Sequence, residues 1–263
     1  MKLAYFPGCK IAYHVKAYGI SLEAVMRKLG IKLVKLPFKC CGYPESSRNR
    51  EVSVLSAIRN CALAEKYKLD IITPCKCCFG QLKHAILHYA HNPDLKQKID
   101  DLLAKEHLYW HGRTRIDHIL TFLYHTYGID TLKHRIKNKL PSQKMVVQYG
   151  CHALRPFSVT GFDNPHAPKI FEDLLHIIGI QPIPWSKSTE CCGHPIYDRN
   201  PALSLQLRQE KLISAAKTGA DYICTACTHC QMQYETAAHP LPADAATDLP
   251  RPILFTRLLQ LAI

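Results

Sequence analysis

The 263-residue chain has no run of 18 uninterrupted apolar residues, so it offers no candidate for a membrane-spanning helix. Its opening, Met1-Lys2-Leu3-Ala4-Tyr5-Phe6-Pro7-Gly8-Cys9, lacks the apolar core of a secretory signal, and a cytoplasmic location is expected. No flavin or nucleotide fingerprint is present, so electrons or other cofactor chemistry must come from elsewhere. Acidic charge is short: 21 Asp+Glu stand against 34 Lys+Arg, a formal net charge of +13. That excess marks a docking surface without naming its partner. No aromatic-interleaved basic motif points to nucleic acid, and the densest run, Lys133-His134-Arg135-Ile136-Lys137-Asn138-Lys139, reads as the solvated face of a helix. The 47% apolar content supports a sizeable core in one large or two ordinary domains. Disorder and a disulfide-stapled miniprotein are both excluded.

What is abundant is cysteine, 13 residues in all. In a reducing compartment thiols serve metals or redox chemistry more often than crosslinks, and the odd total argues against full pairing. The cysteines are not scattered. Gly8-Cys9, Cys40-Cys41-Gly42 and Cys75-Lys76-Cys77-Cys78 in the first half are answered by Gly150-Cys151, Cys191-Cys192-Gly193 and Cys227-Thr228-His229-Cys230 in the second. The offset is 142 residues from Cys9 to Cys151, 151 from Cys40 to Cys191 and 152 from Cys75 to Cys227, so one insertion between the first two stations explains nearly all the drift. Gly42-Tyr43-Pro44 answers Gly193-His194-Pro195, and Arg48-Asn49 answers Arg199-Asn200. The chain is an internal duplication.

Apolar spacing and a terminal glycine predict helices over Ser21 to Gly30 and Lys169 to Gly179. Short apolar runs at Ile31 to Val34, Ile71-Ile72, Met145 to Val147 and Tyr222-Ile223 each end just before a cysteine station. Strands alternating with helices indicate an α/β fold: two pseudo-symmetric domains, each a small sheet flanked by helices, with cysteine ligands on loops at the strand ends. The expected division is 1–90 for the first domain, 91–141 for a largely helical connection and 142–263 for the second. Within the connection Ile116, Ile119, Leu120 and Leu123 mark a helical face that packs across the halves. Pro240 to Pro252 reads as a loop, followed by an amphipathic helix from Ile253 to Ile263.

Adjacent cysteines on a tight turn direct two thiolates to one place. Gly42 and Gly193 suit such a turn, giving a backbone conformation closed to other residues and a close approach to a bulky inorganic group. Four thiolates satisfy a tetrahedral zinc or a standard iron–sulfur cluster, and five exceed that number. A structural zinc site would ordinarily use two C-x-x-C pairs, whereas here one pair is contiguous and one ligand stands alone. A metal-free redox dithiol is disfavoured because the C-x-x-C is not expected to open a helix in a small βαβ domain.

The duplicated stations resemble the tandem cysteine-rich (CCG) domains of the heterodisulfide reductase B-subunit and its relatives, including a sulfur-oxidation branch. The likeness covers nearly the whole chain, and Arg113-Thr114-Arg115-Ile116-Asp117-His118-Ile119-Leu120 is similar to the segment linking the halves in that family. The resemblance implies two noncubane 4Fe-4S clusters facing each other, the first held by Cys9, Cys40, Cys41, Cys75 and Cys78, the second by Cys151, Cys191, Cys192, Cys227 and Cys230. It also implies oxidoreductase chemistry on a disulfide, thiol or carrier-bound sulfur, with an iron–sulfur subunit and a flavoprotein subunit as partners.

Three cysteines remain. Cys61 lies in the Ala/Leu-rich helical stretch Ser53 to Lys66 and reads as an inert buried thiol. Cys77 aligns with His229 and Cys224 with Ile72, so neither belongs to the shared plan; Cys224 also makes a C-x-x-C with Cys227, although the repeat favours Cys227 with Cys230. Both are candidates for thiols beside a cluster or substrate. Most histidines, at 84, 88, 91, 107, 111, 118, 125 and 134, read as solvated or core-edge residues. His152, His194 and His229 flank the second stations and are placed to hydrogen-bond cluster sulfur or protonate a departing thiolate. Two alternatives stand beside this reading: an electron-transfer or membrane-attachment subunit of a succinate or fumarate:quinone reductase, for which the basic surface and amphipathic C-terminus suggest peripheral membrane contact, and a zinc-bound scaffold.

Overall fold

A computed structural model describes residues 1–235 and 249–263. The apolar runs form strands; those at the centre of each sheet are buried, as parallel sheets require, while the edge strand Lys32–Val34 is only partly so. In the first half β1 (Lys2–Tyr5), β2 (Lys32–Val34), β3 (Ile71–Thr73) and β4 (Ile116–His118) make one parallel sheet in the order β2-β1-β3-β4. In the second, β5 (Met145–Gln148), β6 (Tyr222–Thr225) and β7 (Arg251–Leu254) are ordered β5-β6-β7. Ala4 pairs with Ile71 and Ile71 with Ile116; in the other sheet Val147 pairs with Cys224 and Cys224 with Ile253.

Parallel strands need crossovers, and helices supply them. Lys16–Lys28 lies between β1 and β2 and Arg50–Lys66 between β2 and β3; Lys76–His91 and Pro93–Ala104 lead from β3 to β4. In the second half Ile170–Ile177 and Pro201–Ala216 lie between β5 and β6, and Thr228–Glu235 follows β6. Lys16–Lys28 and Ile170–Ile177 answer the two helices expected from spacing, and Gly30 and Gly179 beyond them take the left-handed φ of +75° and +93°. Asn49 and Asn200 accept from the backbone N–H of Val52 and Leu203, so equivalent caps start equivalent helices.

Three local expectations differ. Ile116 belongs to β4 rather than to a helical face, while Ile119, Leu120 and Leu123 follow it in a short helix and a π-turn; all four are buried, so burial is right and the period is not. The connection thus contributes the fourth strand of the first sheet. Arg251 and Pro252 lie in β7, not in a loop, and the final helix is Phe255–Ala262. Pro252 is tolerated because β7 is an edge strand. The rest of the expected loop, 240–248, lies outside the described residues. Finally, the helix Ile129–Lys133 ends where the basic run begins, and Arg135 donates to the carbonyl of Lys28.

The last helix lies across the first half. Phe255, Leu258, Leu259 and Ala262 are buried, Ser21 and Thr256 share a 2.6 Å hydroxyl contact, and Lys28 Nζ donates to the carbonyls of Gln260 and Ile263 at 2.9 and 2.7 Å. One continuous apolar core runs through both halves. Among the described residues no helix is long and apolar enough to cross a membrane.

Candidate metal centres

Every station sits where a strand or loop hands the chain to the next element, at the C-terminal ends of the sheets. Gly8 and Gly150 precede the first cysteine of each set with φ of +72° and +74°. A Cβ on Gly8 would stand 2.9 Å from Cys78 Sγ, so this glycine lets the backbone come up against the thiols. Gly42 and Gly193 have the expected left-handed φ, +87° and +86°. Their close approach is to a helix rather than to the cavity: a Cβ would meet the backbone oxygen of Ser53 at 2.3 Å and that of Ser204 at 2.7 Å. The same contact is locked by side chains. Ser53 Oγ donates to Gly42 O and Ser204 Oγ to Gly193 O, each at 2.9 Å, and Gln81 and Gln233 donate to those serine hydroxyls at 2.8 and 3.1 Å. Sequence reasoning passed over Ser53, Gln81, Ser204 and Gln233, although they recur at the offsets of the cysteine stations.

The C-x-x-C does open a helix in each half, contrary to expectation. Cys75 is the N-cap residue of Lys76–His91, and Cys227 immediately precedes Thr228–Glu235. The exposed N–H groups of a helix start favour thiolate there. Hydrogen bonding among neighbouring thiols does the same: bonds from Cys41 and Cys9 hold Cys40 far below the ordinary thiol range, and bonds from Cys151 and Cys192 do so for Cys191. Gly42 N and Gly193 N each add a 3.4 Å bond to those sulfurs. Cys75 is lowered chiefly by Cys227, and Cys227 is lowered to about 6, chiefly by Cys230. Two thiols in each set are therefore favoured as thiolates, while the other three are pushed up by bonding to them or to one another and by burial.

These thiols surround two cavities. The first is lined by Cys9, Cys40, Cys41, Cys75 and Cys78. The second is lined by Cys151, Cys191, Cys192, Cys227 and Cys230. All ten thiols predicted as ligands thus fall into the two groups of five. Larger surface clefts exist: one around Lys66 and Tyr109 holds no cysteine, and one beside Phe38 is bounded by Cys9 and Cys40 on the outer side of the first site. Cys9 and Cys40 are exposed whereas Cys151 and Cys191 are only partly so, which leaves the first thiol set the more accessible to solvent.

The cavities share a wall. Cys77 and His229, the aligned but unlike residues of the two C-x-x-C motifs, each line both. The sulfurs of Cys75, Cys77 and Cys227 lie within 4.8 Å of one another, and Cys75 Sγ is 2.9 Å from Thr228 Oγ1. Tyr43 meets His152 edge-on at 4.7 Å between ring centroids and His229 at 5.8 Å, and His194 meets His229 at 4.9 Å. Burial lowers the pKa of His152 and of His194. For His229 burial also opposes charge, but the hydrogen bond to Cys75 and the surrounding thiolates raise it overall. His229 Nδ1 is buried without a hydrogen-bond partner, a polar atom awaiting something in the cavity. Soft thiolates in groups of five, an orphaned imidazole nitrogen and glycine-thinned walls fit a sulfur-bridged metal cluster in each cavity.

One candidate thiol stands outside, and the cysteine read as inert is indeed buried away from both cavities. Cys224 lies on β6, fully buried, and lines neither cavity; burial pushes its thiol up. Cys61 is likewise buried in the helix Arg50–Lys66, its thiol pushed up to about 12 by burial and by the charge of Glu65. His118, read as a solvated or core-edge residue, is fully buried on β4. Its Nε2 reaches the carbonyls of Pro74 at 3.1 Å and Ala226 at 3.0 Å, the residues just before Cys75 and Cys227, while Nδ1 accepts from Leu120 N. One imidazole therefore ties both C-x-x-C stations, and no signal short of tertiary structure reveals it.

A duplicated α/β chain with paired thiol cavities defines a class of tandem cysteine-rich protein. The cysteine-rich (CCG) domain matches the chain twice, over residues 3–83 and 145–235, and the chain belongs to that family. It is 33% identical over 239 residues to the 8-methylmenaquinol:fumarate reductase membrane anchor subunit of Wolinella succinogenes, covering 89% of this chain and 82% of that one. It is 28% identical over 268 residues to the B-subunit of the ferredoxin/F420H2-dependent CoB-CoM heterodisulfide reductase of Methanosarcina acetivorans, covering 100% and 89%. A protein of Archaeoglobus profundus described as like the heterodisulfide reductase B-subunit is 29% identical, covering 97% and 87%. Among solved structures, a hypothetical protein from Helicobacter pylori superposes with a TM-score of 0.71 at 15% identity over 99% of this chain, which spans 48% of that protein's length; the likeness is one of fold. Family and thiol cavities together imply iron–sulfur binding and a redox role.

Proposed function

We propose that this chain is the cluster-bearing catalytic subunit of a heterodisulfide-reductase-like complex, working on a disulfide, a thiol or carrier-bound sulfur. The observation that carries the reading is the shared wall: two five-thiol cavities meet at Cys77 and His229. A noncubane 4Fe-4S cluster held in each cavity would supply one electron, and two electrons with two protons would convert one disulfide into two thiols. The ligands are Cys9, Cys40, Cys41, Cys75 and Cys78 for one cluster and Cys151, Cys191, Cys192, Cys227 and Cys230 for the other.

The chain's own residues bind and supply protons. Tyr43, His152 and His229 form an aromatic seam between the halves that excludes water from the space between the cavities. His229 holds a proton against Cys75 and is the donor to a leaving thiolate; His152 lines the second cavity, and His194 stands behind His229, reaching the site through that ring. Cys77 is a free thiol facing both cavities, positioned on the substrate side. Cys224 lies farther back on β6, outside both cavities. Electrons arrive through an iron–sulfur subunit and a flavoprotein subunit of the same complex, because the chain carries no flavin or nucleotide fingerprint and its two thiol sets leave no further set for a relay cluster.

Purified complex, incubated anaerobically with candidate disulfides and sulfur carriers while flavin and cluster absorbance are followed, tests this. Substrate-dependent oxidation or reduction supports it. Two zinc ions with no iron or acid-labile sulfide would overturn it.

A second reading, an iron–sulfur or attachment subunit of a quinone-linked dicarboxylate reductase, draws on the 33% identity to the fumarate reductase subunit. Its argument from an amphipathic C-terminus loses force, because the apolar face of Phe255–Ala262 is spent on the helix Lys16–Lys28 and only Leu261 is left exposed. Co-purification with a flavoprotein dicarboxylate enzyme and quinone-dependent turnover would favour this reading over the first.

A further inference from the structure

The duplication places the same thiols around both cavities but not the same charge. Lys76 follows Cys75 in the first half, yet its side chain crosses the seam and lines the second cavity. It is 2% exposed, with Nζ donating to the carbonyls of Tyr149 at 2.8 Å and Gln148 at 3.2 Å. The ammonium also lies 5.0, 5.3 and 5.7 Å from the ring centroids of Phe171, Tyr149 and Phe162. Its counterpart in the repeat is Thr228, which crosses the opposite way into the first cavity and meets Cys75 as a neutral hydroxyl.

A second unequal pair reinforces the first. Lys211, 1% exposed, donates to the carbonyls of Lys187 and Glu190 behind the Cys191-Cys192 turn and lies 4.6 Å from the Trp185 ring. At the 151-residue offset (60 to 211) the first half has Asn60, whose Nδ2 donates to the carbonyls of Lys39, Cys40 and Ser56. The same structural task, holding the turn that carries the cysteine pair, is done by a neutral amide in one half and an ammonium in the other.

Burying an ammonium is costly unless negative charge compensates it. Burial pulls both lysines below the ordinary lysine range, Lys211 to about 8, and what opposes it comes first from the second thiol set, Cys230 and Cys227 for Lys76 and Cys230 and Cys192 for Lys211. Two nearby carboxylates do not replace them. Glu172 accepts from Tyr149 and burial holds its carboxyl up, while Glu190 pairs with Lys187 in water. The first cavity's own cation, Lys10, lies half-exposed at its rim, where solvent screens it. Net charge and solvent access set cluster potentials, and a buried cation stabilises the more negative, reduced state.

We propose that Lys76 and Lys211 make the second site the more oxidising of the two, so that the first electron given to the cluster-loaded protein is held there. The inference rests on the cluster reading above and deepens it. The two sites have fixed, different roles, with the second accepting an electron before the first and the pair discharging both only when the first is also reduced.

The test uses the full chain, purified anaerobically, with iron and sulfide measured before a dithionite titration in the presence of mediators, followed by EPR and Mössbauer spectroscopy. Wild-type protein should show two one-electron steps separated by at least a tenfold difference in equilibrium constant, which is about 59 mV for a one-electron couple. Lys76→Met and Lys211→Asn should each lower the upper step and narrow the gap. Lys76→Arg should restore it, and Asn60→Lys should raise the lower step instead. The Lys76→Met variant keeps the apolar stem among the rings; if it does not fold, Lys211→Asn and Asn60→Lys decide the matter. Coincident steps in the wild type, or a gap that stays or widens in the lysine variants, overturn the proposal while leaving the cluster reading intact. Protein without iron overturns the cluster reading, and this inference with it.

Discussion

Cys75 and Cys227, the first thiols of the two C-x-x-C stations, hold their sulfur atoms within 4.8 Å of one another across the seam between the halves. With Cys77 in the same group, mild oxidation of metal-free protein should join the halves, since only a small shift brings two of these sulfurs to bonding distance. Peptide mapping should find Cys227 linked to Cys75 or Cys77 in the metal-free chain and no such link in iron-loaded protein.

Separate cavities imply separable loading. Cys41→Ser and Cys192→Ser should each reduce iron per chain by about half, and the double variant should hold almost none. Iron and acid-labile sulfide assays check this, and a single substitution that empties both sites would contradict it.

His118 is the exception that should affect both. Replacing it with Phe removes the donor to Pro74 O and Ala226 O, at a cost of about 2 kcal/mol, and should lower loading of both cavities together. Burial depresses His118 to about 3, so the folded protein keeps it neutral while the unfolded chain protonates it near its ordinary value of 6.5. Its contribution is therefore complete above pH 6.5 and is lost as pH falls toward 3, with a slope of about 1.4 kcal/mol per pH unit in between. Thermal unfolding of wild type and His118→Gln at pH 4.5 to 7 should converge as the pH drops.

Glycine substitutions should separate a crowded turn from an open one. Gly42→Ala meets both a left-handed φ and the Ser53 carbonyl, and should cost more than about 2 kcal/mol and reduce iron content. Gly30→Ala has the same φ problem in open space and should cost about 1 kcal/mol with loading unchanged. Chemical denaturation of both variants gives the comparison.

Cys61→Ala should cost about 1 kcal/mol for the small void it leaves and alter neither iron content nor cluster spectra, because the thiol is enclosed by its helix away from both cavities.

The repeat made the ten thiols legible, because ligands to one object must recur in order when a domain is duplicated. Four of the seven strands described were legible because parallel strands read as short apolar runs; Lys2–Tyr5, Ile116–His118 and Arg251–Leu254 were not read as strands. What escaped was tertiary. Ile116 pairs with Ile71 because the chain beyond the first half returns to the sheet, and a three-residue strand has no period of its own. His118 looks like any histidine until Pro74 and Ala226 arrive on either side of it. Lys76 sits between two cysteines of one station, and nothing local says that its stem crosses to the other.

That crossing bears on how such a chain arose. Since Lys76 walls the second cavity and Thr228 the first, each half finishes its neighbour's pocket and neither is complete alone. A single copy of this domain would need a second copy to close its pocket, and only with both copies in one chain can the two crossing positions hold different residues, Lys76 and Thr228.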